Sequence, residues 1–113
     1  MAIVTNRIKG AGTEPVNVAW GTGAGTAVVA DTTLFVEATE SRTAGTSTQQ
    51  TTTQTNDTYQ VVGTVTADGT KTITNSGLFD AASGGNMLTK GDFTGVALVI
   101  NESIQFTWKL QIT

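Results

Sequence analysis

Hydrophobic and polar positions alternate most regularly at the end of the chain, where Ile104, Phe106, Trp108, Leu110 and Ile112 are separated by Gln105, Thr107, Lys109 and Gln111. A period of two gives a strand one apolar face and one wet face. Residues 59–66 repeat the pattern, with Tyr59, Val61, Gly63 and Val65 on one face and Gln60, Val62, Thr64 and Thr66 on the other. The Asp68-Gly69 pair that follows accepts positive φ, which predicts a tight turn over residues 67–70 and a hairpin onto a strand at 71–79. Val16, Val18 and Trp20 alternate with Asn17 and Ala19 as a further strand, entered from a turn at Gly10, Gly12 and Pro15. Residues 80–86 read as a second turn and 87–93 as a strand in which Gly91 marks a bulge or a close approach. Val96, Leu98 and Ile100 add apolar positions before Asn101-Glu102 turns the chain into the last strand.

Three stretches are less regular. Residues 1–9 hold Ile3, Val4 and Ile8 beside Arg7 and Lys9, a pattern that suits a short edge strand or an arm lying on another surface. Residues 31–41 offer Asp31 as a cap with Leu34 and Ala38 four apart, or Thr33, Phe35 and Glu37 on a strand; one or two helical turns are expected. Residues 43–57 are rich in Thr, Gln and Ser, with Ala44 as the one apolar side chain and no charge before Asp57. Alone they cannot offset the entropy of ordering, so an exposed loop is expected, or a polar β-arm that orders against a neighbouring subunit.

No segment carries a helical stripe long enough to cover the apolar face of residues 104–112, so a second sheet must do so. The pattern predicts one all-β domain over residues 1–113. Its architecture is an antiparallel two-sheet sandwich, jelly-roll-like, with at most a short helix near 31–41 and an open β-barrel as the alternative. Composition agrees: about a fifth of the residues are Thr, Gly numbers 13 and Pro 1, which suits pleated strands cut by frequent turns. A chain of 113 residues has a thin core, and burying more surface between subunits would help it.

With no Cys and no His, thiolate nucleophiles, imidazole acid-base chemistry, disulfides and ordinary zinc sites are excluded. A net charge of -3 opposes phosphate neutralisation, so no nucleic-acid partner is expected. No run of about 18 apolar residues predicts a membrane span. The glycine run Gly21-Thr22-Gly23-Ala24-Gly25-Thr26 lacks the Lys-Ser/Thr end of a phosphate loop and reads as a plain loop. The nine carboxylates are spread singly, without the alternating cluster of a calcium loop, and mostly in turn-like positions that suit capping better than a catalytic pair. No enzyme, no cofactor, no catalytic residue and no metal ligand is expected. Trp20 and Trp108 lie on apolar faces, where core packing competes with a role in stacking on sugars.

Trp20-Gly21-Thr22-Gly23, Tyr59 to Thr64, the run Ile73-Thr74-Asn75-Ser76-Gly77-Leu78-Phe79-Asp80-Ala81-Ala82-Ser83-Gly84-Gly85-Asn86-Met87-Leu88 and the end Ser103 to Lys109 together resemble a group of small structural proteins of tailed bacteriophages. The resemblance implies a virion component of capsid cement or decoration type. Such a protein is made in the host bacterial cytoplasm, forms a homotrimer, sits on the outer face of the head and binds the major capsid protein. A tail-fibre or baseplate module that recognises host glycan through an exposed Trp and polar loops is the alternative. Because Thr113 follows the last strand by one residue, docking or inter-subunit contact is expected from Ile3, Val4, Arg7, Ile8 and Trp20, with residues 43–57 touching neighbours.

Overall fold

The computed structural model describes residues 2–113. The elements run α1 (Ala2–Ile8), β1 (Asn17–Thr22), β2 (Val36–Glu37), β3 (Thr43–Ala44), β4 (Thr46–Gln50), β5 (Thr58–Thr66), β6 (Lys71–Phe79), β7 (Met87–Leu98) and β8 (Ser103–Gln111). One sheet has the order β2-β1-β6-β7, with β3 also paired to β1; the other has the order β4-β5-β8. Every pairing is antiparallel. The two sheets pack face to face as the expected all-β sandwich.

The inner faces follow the alternation. Val18 and Trp20 from β1, Val61 and Val65 from β5, and Ile73 and Leu78 from β6 form the buried core with Ala67 and Leu98. Phe106 of β8 meets Trp20 edge-to-face, with ring centroids 6.5 Å apart. The sheets approach closely at Gly63, where a Cβ would stand 2.8 Å from Val18 Cγ2. A second, smaller cluster of Ala19, Leu34 and Phe79 lies on the outer face of the larger sheet.

The predicted hairpin does not form. β5 and β6 are both present but belong to different sheets: β5 pairs with β4 and β8, and β6 with β1 and β7. Residues 67–70 are a corner between sheets, and Gly69 is not among the glycines at positive φ. A second corner, residues 99–102, carries β7 into β8. The two are stitched together by Ala67 N–H donating to Glu102 O at 2.7 Å and Asn101 N–H donating to Ala67 O at 2.9 Å. Turn chemistry announces a reversal; which sheet receives the next strand depends on where its apolar face finds cover.

Residues 31–41 form no helix. Leu34, 4% exposed, is an isolated anchor on the outer cluster, and the backbone is satisfied by the sheet: Phe35 N–H donates to Asn75 Oδ1 and β2 pairs with the end of β1. A helix forms instead at α1, where an edge strand or arm was expected. It stops at Gly10 and Gly12, with φ of 83° and 78°, positions that favour glycine. Met1 lies outside the described residues.

Residues 43–57 order on their own chain. β4 pairs with β5 over its full length, and the following loop closes on Asp57, whose carboxylate accepts the N–H groups of Thr52, Thr53 and Gln54. These bonds hold its pKa below the usual carboxylate range. The turn at residues 80–86 forms as expected, with Gly84 and Gly85 at φ of 63° and 69°. Gly91 is a close approach, its Cα facing the Trp108 ring. The register shifts lie elsewhere, between Ile73 and Asn75 and between Leu78 and Phe79.

Candidate docking surface

The side chains that chemistry would need are engaged in holding loops. All nine carboxylates accept a hydrogen bond from their own chain. Glu40 is the most enclosed. Its oxygens accept from Trp20 Nε1 at 3.0 Å and from the Asp68 N–H at 2.9 Å, and it pairs with Lys71. Burial alone would push its pKa up, but Lys71 and the two donors outweigh it and bring the value down to about 2. Lys71 also pairs with Asp68, and its own pKa is raised by both carboxylates. The cluster clamps the corner between β5 and β6 to the loop after β2.

Two cations cover the outer face of the larger sheet. Arg42 lies 3.7 Å over the Phe79 ring, pairs with Glu37 and donates to the carbonyls of Ala81 and Gly84. Lys90 lies 3.6 Å over Phe35 and pairs with Asp31. The Val28 N–H and Lys90 together depress the Asp31 pKa. Among the described residues no group of three or more Asp or Glu is placed to hold a metal ion.

Trp20, 1% exposed, is part of the core and offers no ring face to a partner or a sugar. Ile3, 5% exposed, is buried against its own domain, in a cleft of about 580 Å³ bordered by Val28, Val29, Met87 and Leu88. Val4 is half-buried, and Arg7 is exposed with Nη1 donating to Gly12 O. Ile8 is 81% exposed. Of the five residues expected to dock, the structure leaves Arg7 and Ile8 open and adds two that the alternation did not flag, Val28 and the fully exposed Val29. Their only signal is an apolar pair in a stretch with no strand period.

A second surface lies along one side of the sandwich. β7 and β8 are the last strands of their sheets and stand side by side: Phe93 and Phe106 have ring centroids 6.3 Å apart, and Gly91 faces Trp108. Phe93 and Val96 remain 37% and 39% exposed, and a cleft of about 180 Å³ opens between the strands, lined by Ser76, Gly91, Phe93, Phe106 and Trp108. The Trp108 indole N–H is buried with no acceptor among the described residues. Trp108 itself is half-buried, as are Ile104, Phe106 and Leu110.

Fold and surface together define a β-sandwich with exposed apolar side chains at the Val28-Val29 loop and along the β7–β8 side, and others at Val36, Val99, Ile100 and Ile112. No family model, curated protein or solved structure matches the chain.

Proposed function

We propose that this chain is a structural protein of a tailed-phage virion, of the capsid decoration type, which binds the outer surface of the major capsid shell and stabilises it. The observation that carries the reading is the exposed apolar pair Val28 and Val29 beside Ile3 of α1. Contiguous exposed apolar surface on a small domain marks a docking site. The cement motif, residues 73–88, supports it by forming a braced unit: β6, a turn closed by the Asn86 N–H donating to Asp80 Oδ1 at 2.7 Å, and the start of β7. A rigid body with an adhesive end is what a passive shell binder requires.

The protein acts by linkage. A ligand that binds the assembled shell and not its dissociated subunits shifts the equilibrium toward the shell, by an amount set by concentration over Kd. A net charge of -3 suits a position away from packaged nucleic acid. Cryo-electron microscopy of the virion tests the reading. Density for the sandwich on the outer face of the head, with the Val28-Val29 loop and α1 against the major capsid protein, is the expected result. Density in the tail, or none on the particle, overturns it.

A further inference from the structure

We infer that the side of the sandwich formed by β7 and β8 is the binding surface for a second copy of this chain, joined by edge-to-edge pairing that continues both sheets through a two-fold axis. The inference is independent of the role in the virion.

The two sides of the molecule are built differently. On one, the edge positions are taken by β2 and β3, of two residues each, and by β4, five residues of Thr, Ser and Gln. Short, polar edges offer little to an incoming strand. On the other side the edges are β7 and β8, of 12 and nine residues, and each pairs with a single neighbour. Long unpaired edges are templates for pairing.

The space between these edges is unfinished core. Val96 lies opposite Ile73 in the β6–β7 register, and paired residues share a face. Ile73 is fully buried, yet Val96 is 39% exposed. Phe93, against Phe106, is open in the same way. Their faces point inward and are left partly uncovered at the side where both sheets end.

A copy of the same chain fits this surface better than a lone strand does. One extended peptide could extend one edge and leave the other free. A two-fold axis normal to both sheets brings β7 against β7 and β8 against β8, antiparallel by symmetry, and closes the apolar gap in one step. The molecule measures 41 by 25 by 23 Å, so its long side accommodates the roughly 800 Å² per partner of an ordinary stable interface.

Sedimentation velocity and light scattering of the full chain test the inference, with amide hydrogen exchange at high and low protein concentration. The expected mass is twice the 11.7 kDa of one chain, with the amides of β7 and β8 losing protection on dilution while those of β1 do not. Replacing both Phe93 and Val96 by Lys should weaken dimerisation at least about 100-fold with the β circular-dichroism spectrum retained. If that variant fails to fold, the exchange data on the unsubstituted chain decide. A monomer at high concentration, a trimer, or a dimer whose β7 and β8 amides ignore dilution overturns the inference.

Discussion

Glu40 shows how a single carboxylate can hold a fold together without chemistry. Its side chain is 6% exposed and gathers Trp20 of β1 with Asp68 and Lys71 of the corner between β5 and β6. Replacing Glu40 by Gln leaves Lys71 short of its closest counter-charge, and unfolding in urea should show a loss of about 2–3 kcal/mol at pH 7. Because the folded pKa, about 2, lies below the 4.5 of a free glutamate, ionised Glu40 stabilises the fold fully above about pH 4.5. That contribution is lost as pH falls toward and through 2. The stability difference between the native chain and E40Q should therefore be constant near neutrality and shrink between pH 4.5 and 2. Asn101, at φ of 72° in the corner before β8, predicts a different effect. N101A should destabilise by about 1 kcal/mol and N101G by far less, since Gly adopts that conformation without a Cβ clash.

Among the elements, the alternation identified β1, β5 and β8 and placed Val18, Trp20, Val61 and Val65 on apolar faces that are buried, while β6 was found through the turn signal before it. It misjudged the partner of β5, because Asp68-Gly69 carries the same turn signal at a corner as at a hairpin. It also read residues 31–41 as helical from the Leu34 and Ala38 spacing, where the Asn75 side chain and the β1 edge supply competing hydrogen bonds. Gly63 is the element-level test of the sandwich. Its Cβ would overlap Val18 of the facing sheet, so G63A should cost about 1–3 kcal/mol, seen as a lowered thermal midpoint. In a β5–β6 hairpin outside a sandwich the same substitution would be nearly silent.

For the molecule as a whole, the docking proposal separates binding from folding. Ile8 and Val29 are exposed, so I8D and V29D should leave the unfolding free energy in urea within about 0.5 kcal/mol of the parent and reduce occupancy on capsids at least tenfold. Removing residues 2–9 should reduce occupancy and also lower stability, because it exposes the site of Ile3, whose burial contributes about 1.5–3 kcal/mol. Unchanged occupancy after that deletion would exclude α1 from the interface. The decoration-protein proposal goes with a three-fold assembly, whereas two paired edges imply a two-fold one, and the solution mass distinguishes them.

The strands β1, β5 and β8 and their apolar faces were written locally, because side chains alternate on a pleated backbone whatever lies across from it. The absence of Cys and His likewise bounded the chemistry before any fold was known. Pairing, burial and exposure were decided only in three dimensions. Trp20 went to the core and Val29 to the surface because long-range packing chose which apolar groups found cover. The final strand, the most regular in the sequence, became an edge. Its apolar face is half-buried because β7 and β8 end their sheets together, and no local pattern encodes where a sheet stops.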